Sequence, residues 1–120
     1  MRCKLVVHSC RSSMWAGPYA SCFLADMGAD VIKVESIQRP DGMRLANAVP
    51  REPVWEWAHV FAGANPGKRD ITLNLTSEEG VALLKRLIAN ADVVMEAYAV
   101  RVVGRSAALT RNSYATTAAR

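Results

Sequence analysis

Residues 16–35 read AGPYASCFLADMGADVIKVE, a helix that has to stop where a strand begins. Pro18 suits the first helical turn, where its missing N–H is no loss. Ala20, Phe23, Leu24 and Met27 recur at i, i+3, i+4 and i+7, which predicts a helix over 17–27 with these residues on its buried face. Gly28 can take the left-handed conformation that ends a helix. Val31, Ile32 and Val34 then read as a strand over 31–35, buried on both faces as strands of a parallel sheet are.

The rest of the chain repeats this alternation. Lys4–His8 is a candidate first strand. Residues 36–55, rich in Pro, Asn and charge, read as a long loop, and Trp55, Trp57, Val60 and Phe61 as a short packed segment. Asn65-Pro66-Gly67 is a turn. After it, Ile71, Leu73 and Leu75 alternate with Thr72 and Asn74, the period of a half-buried strand. Thr76 and Glu79 have the spacing of a capping box. Val81, Leu84, Leu87, Ile88 and Ala91 hold one helix face, with Lys85 and Arg86 turned to solvent. Asp92–Glu96 is another strand. This order implies right-handed crossovers and an α/β fold built on a parallel sheet with flanking helices.

Size and charge narrow the function. A chain of 120 residues is one domain or part of one. No apolar run approaches the ~20 residues of a membrane span, so no membrane partner is expected. The apolar stretch Leu5–Val7 is too short for a signal-peptide core, which makes the cytoplasm the expected location. The net charge is +4, yet residues 1–98 carry eleven Lys and Arg against eleven acids. The surplus lies in Arg101, Arg105, Arg111 and Arg120, scattered along an Ala/Thr/Ser tail. A nucleic-acid footprint is a basic patch on a folded face, so nucleic acid is not expected as a partner. Cys3, Cys10 and Cys22 lack CxxC spacing and read as free thiols. His8 and His59 have no ligand cluster, and no metal site is expected. There is no GxGxxG, P-loop or nucleophile elbow. The residues alone reach a parallel α/β piece whose helix at Gly17-Pro18 can offer its positive end to an anion.

Four strings carry more: AGPYASCFLADMGADVIKVE, PDGMR, GANPGKRDITLNL and ADVVMEAY, in that order. Together, over Ala16 to Tyr98, they resemble the N-terminal part of the class III CoA-transferases, the CaiB/BaiF family. That family includes formyl-CoA and carnitine CoA-transferases and α-methylacyl-CoA racemases. The resemblance implies a partial Rossmann-like CoA-binding domain over 1–98 and an interlocked homodimer. It implies acyl-CoA as substrate with no covalently bound cofactor. It also implies covalent catalysis, in which an aspartate attacks the thioester and passes through a mixed anhydride and an aspartyl-CoA thioester.

Carried over position by position, the resemblance gives five CoA-binding candidates and no catalytic one. Ala16 matches the segment before the first helix. Arg44 fits the arginine of the loop after VIKVE, while Ser36 replaces the arginine that often follows that glutamate. Leu73 matches a position whose backbone lies near the adenine, and Thr76 replaces a lysine after it. Tyr98 keeps the aromatic of the family's ENF, and Arg105 falls where a phosphate-binding arginine is expected. The family's nucleophilic aspartate has no counterpart here, and Asp92 belongs to the ADVV strand. Residues 99–120 depart from the family and are expected to be a disordered or off-frame tail. The expected protein is thus a truncated CoA-transferase relative, inactive alone, that self-associates or aggregates. The alternatives are a CoA-binding subunit completed by a partner chain and a small basic binding protein reusing the half-domain.

Overall fold

The computed structural model describes residues 3–8, 15–46 and 50–96. Among them, strands β1 (Lys4–His8), β2 (Asp30–Glu35), β3 (Arg69–Thr72) and β4 (Val93–Glu96) form one sheet in the order β3-β2-β1-β4. Every pairing is parallel; Val6 stands opposite Ile32 and Val94, and Val34 opposite Ile71. Helices α1 (Ala16–Asp26), α2 (His59–Ala64) and α3 (Glu78–Ala89) lie on its connections. Single 3₁₀ turns at Gly42–Arg44 and Val54–Glu56 punctuate the long loop. The expected α/β fold with a parallel sheet is what forms. Its strand order is that of the first half of a doubly wound nucleotide-binding sheet, whose crevice opens at the carboxyl ends of the strands.

The two faces of β2 are packed differently. Val34 is fully buried against Leu84 of α3, with Ile32, Ile71, Leu73, Leu75, Leu87, Ile88 and Ala91 around them. This is the face that the alternation of Ile71, Leu73 and Leu75 and the helical spacing of α3 foretell. On the other face Val31 packs against Leu24, Ala25 and Ala29. Beyond it lie Lys33 and Glu35, 2% and 5% exposed. Gly28, at φ 92°, turns the chain from α1 into β2, as its position suggests.

Three expectations are corrected. The buried face of α1 is not Ala20, Phe23, Leu24 and Met27. Gly17, Pro18, Ser21 and Cys22 are buried, while Phe23 and Met27 are 64% and 73% exposed. Small residues let α1 approach the sheet closely, and the Ser21 hydroxyl donates to Gly17 O at 2.9 Å and to Pro18 O at 3.0 Å, so its burial leaves no unmet polar atom. Only Leu24 of the expected set packs on the core. The second correction is the start of α3. Its N-cap is Ser77, whose hydroxyl accepts from Gly80 N at 3.1 Å. Thr76 instead donates through its N–H and its hydroxyl to Asn74 Oδ1, at 3.1 and 2.7 Å. Thirdly, the aromatic segment is packed only in part: Trp55 and Trp57 are 49% and 37% exposed, while Val60 and Phe61 lie in α2, whose Ala64 is fully buried. The proposed boundary near residue 98 and the tail lie outside the described residues.

Gly80 is buried where α3 begins, and a Cβ there would collide with the Asn74 backbone carbonyl. Helix propensity alone favours Gly80→Ala by about 1 kcal/mol. Overpacking against backbone should reverse the sign, to a loss of about 1–3 kcal/mol by chemical denaturation. A gain in stability would show that Asn74 yields freely.

Candidate functional site at the sheet rim

The carboxyl end of β2 carries a compact ion network. Residues 31, 33 and 35 alternate onto the face shared with α1 and α2, which buries a lysine and a glutamate beside Val31. Lys33 Nζ lies 2.7 Å from Asp41 Oδ2 and 3.3 Å from Glu35 Oε1. Asp41 leads the first 3₁₀ turn, where its other oxygen accepts from Met43 N at 2.9 Å. That turn delivers Arg44 to the same place. Arg44 Nε donates to Glu35 Oε2 at 3.0 Å, and Nη2 donates to Glu35 Oε1 at 3.1 Å and to Asp70 Oδ2 at 2.6 Å. The Phe61 ring of α2 covers the guanidinium, 3.7 Å from Cζ to the ring centroid, a stacking suited to arginine. Among the described residues no buried side-chain polar atom lacks a partner.

The electrostatics follow from this crowding. Burial alone would raise the Glu35 carboxyl. Hydrogen bonds from Arg44 and Asp70 and the charges of Lys33 and Arg44 outweigh it and bring the pKa down to about 2. Asp70 is raised to about 6 by burial first, then by its hydrogen bond with Glu35 and that group's negative charge. On acidification Asp70 therefore takes a proton before Glu35 does. Arg44 is raised further above its already high value: burial opposes, and Glu35 and Asp70 prevail. A second cation ties the helices. Lys68 Nζ donates to Pro18 O, Ala64 O and Asn65 Oδ1, each at 2.8 Å. Burial, then the charge of Lys33, lower its pKa to about 8.

The residues singled out from sequence are placed as follows. Ala16 is the exposed first residue of α1, at the rim because α1 runs back from the strand ends. Leu73 follows β3; its side chain is in the core, and its N–H donates to Glu35 O at 2.9 Å. Arg44 joins the same rim through Glu35, with its donors turned into the protein. Tyr98 and Arg105 lie outside the described residues. Sequence reasoning missed Lys33, Glu35, Asp41, Asp70 and Lys68. One signal was available: a lysine flanked by Ile32 and Val34 in a strand read as doubly buried needs an acid beside it. Among the described residues no His, Cys, Asp or Glu group could hold a metal ion, and no helix is long and apolar enough to cross a membrane.

A raised carboxyl pKa means that the folded chain holds its proton more tightly than the unfolded chain does. The contribution of Asp70 is thus full below about pH 4 and is lost as pH rises through about 6. The contribution of Glu35 is present above its ordinary value and is lost as pH falls towards about 2. Thermal melts should show wild-type stability declining between about pH 4 and pH 6, and Asp70→Asn should flatten that decline. Parallel profiles for the two proteins would contradict the raised Asp70 pKa.

Comparison with known proteins places this geometry. CoA-transferase family III matches residues 5–115. The succinate–glutarate CoA-transferase of Agrobacterium fabrum is 43% identical over 86 residues, 68% of this chain and 21% of that protein. The succinyl-CoA:mesaconate CoA-transferase of Haloarcula marismortui is 40% identical over 84 residues, 68% of this chain and 20% of that protein. The crystal structure of a CaiB/BaiF family protein from Brucella suis superposes with a TM-score of 0.77 at 36% identity, covering 97% of this chain and 30% of that one. The chain spans about a fifth of the length of these curated relatives. Sequence, strand order and superposition agree, and the chain belongs to CoA-transferase family III.

Proposed function

We propose that the chain binds the nucleotide end of a CoA thioester at the carboxyl rim of its sheet and does not transfer CoA by itself. The observation that carries the binding is the β3-β2-β1-β4 parallel order in a family whose named members are CoA-transferases. In such sheets ligands bind outside the strand ends. Here that rim gathers the start of α1, whose positive end suits a phosphate, and the backbone at Leu73. Ala16 and Leu73 are the described candidates for contact, and Tyr98 and Arg105 complete the proposed set.

Silence in transfer rests on the aspartates, since the resemblance assigns the attack on the thioester to an aspartate carboxylate. Asp92 accepts from Lys4 N at 2.8 Å, and Asp30 holds Arg69 at 2.6 Å, both at the opposite end of the sheet. Asp26 ends α1, also away from the rim. Asp41 and Asp70 are held by Lys33 and Arg44. Calorimetric titration of the chain with CoA should give saturable binding. Incubation with succinyl-CoA and a series of carboxylic acids should give no exchange. Absence of binding would overturn the first half of the reading, and exchange at the rate of a longer relative would overturn the second.

The outer face of α1 favours self-association as a companion property. Trp15 and Tyr19 stack with centroids 5.7 Å apart. With Phe23 and Met27 they form an exposed apolar row, the kind of patch that marks contact surfaces. Sedimentation of wild type should show oligomers, and Phe23→Lys with Met27→Lys should reduce them at a stability cost below about 0.5 kcal/mol, as for other surface changes. Unchanged sedimentation would exclude this face.

A further inference from the structure

The resemblance to longer relatives sets Arg44 among the CoA ligands, yet two of its three guanidinium nitrogens are already hydrogen-bonded to carboxylates. Its side chain is 15% exposed. Nε and Nη2 serve Glu35 and Asp70, Nη1 stands 3.9 Å from Glu56 Oε1, and the Phe61 ring closes the flat face. A phosphate could take Nε or Nη2 only by displacing Glu35, which is 4% exposed, or Asp70. A displaced Glu35 would keep Lys33 as its single cation, in a site where an underpaired charge is costly. Meanwhile the same Glu35 governs the backbone of both outgoing loops. Its carbonyl accepts from Leu73 N at 2.9 Å, and its carboxylate accepts from Asp41 N at 3.3 Å.

We propose that Arg44 is a positioning residue: it ties the end of β2 to β3 and to the 36–46 loop, and so sets the rim that carries Leu73, without meeting a phosphate itself. Nε and Nη2 grip Glu35, the last residue of β2, and Nη2 also donates to Asp70, inside β3 and three residues before Leu73. The two strands are thus joined by side chains at the point where their backbone ladder ends. A planar fork is needed for this, since a lysine offers one point charge and cannot span two carboxylates bidentately. The second half of the proposal rests on CoA binding at this rim; the first half does not.

The test compares the full chain with Arg44→Gln, Arg44→Lys, Asp70→Asn and the Arg44→Gln/Asp70→Asn double variant. Each is melted without ligand and titrated with CoA at a temperature where it is folded. Arg44→Gln should melt several degrees below wild type, and Arg44→Lys less so. The double variant should melt close to Arg44→Gln alone, because the two residues act as one tie. Arg44→Gln should weaken CoA binding by a factor of roughly three or more, and Asp70→Asn should weaken it in the same direction. Three results would overturn the proposal: wild-type melting of Arg44→Gln, unchanged CoA affinity in a destabilised Arg44→Gln, or tighter CoA binding by Asp70→Asn. The last would mean that the acid competes with a phosphate for the guanidinium. If Arg44→Gln does not fold, Arg44→Lys takes its place in the melts and Asp70→Asn decides the binding: weaker CoA binding supports the tie, and tighter binding overturns it. Failure of wild type to bind CoA would remove the functional reading and the rim with it, and the melting cycle would still judge the tie.

Discussion

A carboxylate removed from water must be surrounded by donors or it will not stay charged. Glu35 ends β2, an inner strand of the described sheet, at 5% exposure. It remains ionised because Arg44 meets it with two nitrogens and Lys33 with a third. Removing two charges from water is expensive, and such clusters hold only where geometry is good and the remaining lone pairs are met. Here Asp41 N meets one of them, at 3.3 Å. The loop after β2 is consequently fixed at Asp41 and Arg44, and the segment after β3 at Leu73. The rim is therefore defined by one acid and the donors that it collects.

The two faces of the sheet divide the work. The face under α3 is an oily core, centred on Val34 and Leu84, and supplies the burial that any fold of this size needs. The face under α1 and α2 has less apolar mass. Its middle is the lysine–carboxylate–guanidinium network, roofed by Phe61. The helices approach it closely through Gly17, Pro18, Ser21, Cys22 and Ala64, and Lys68 pins α1 to α2 through backbone carbonyls. The large apolar residues of α1 are left outside as a consequence of that close approach. The relatives of this family are several times longer than this chain, so a surface apolar here need not be a surface in them.

What could be read from sequence followed locality. β2, the Gly28 turn and the apolar face of α3 are encoded in neighbouring residues, and all three stand as expected. The face of α1 was misread because periodicity marks where large apolar residues recur, and here the close-packed side is made of small ones. Ser77 displaced Thr76 as the cap because Asn74 had already claimed Thr76. The network was hidden for a different reason. Its pairs join residues eight, nine and twenty-six positions apart, and no local pattern couples them. Arg44 was picked out by resemblance, and its bonds to Glu35 and Asp70 are the part that no local pattern announces. Ala16 and Leu73 do reach one rim, because every helix start and every loop after a strand lands there in a parallel sheet.

The central claim is that the ends of β2 and β3 are locked together by Glu35. The Leu73 amide reports on it most directly, since it donates to the Glu35 carbonyl at 2.9 Å just past the last residue of β3. Native-state hydrogen exchange should find this amide protected to the level of the β2 backbone, opening only with the sheet as a whole. Exchange of Leu73 at the rate of a fraying strand end, with β2 still protected, would contradict the account.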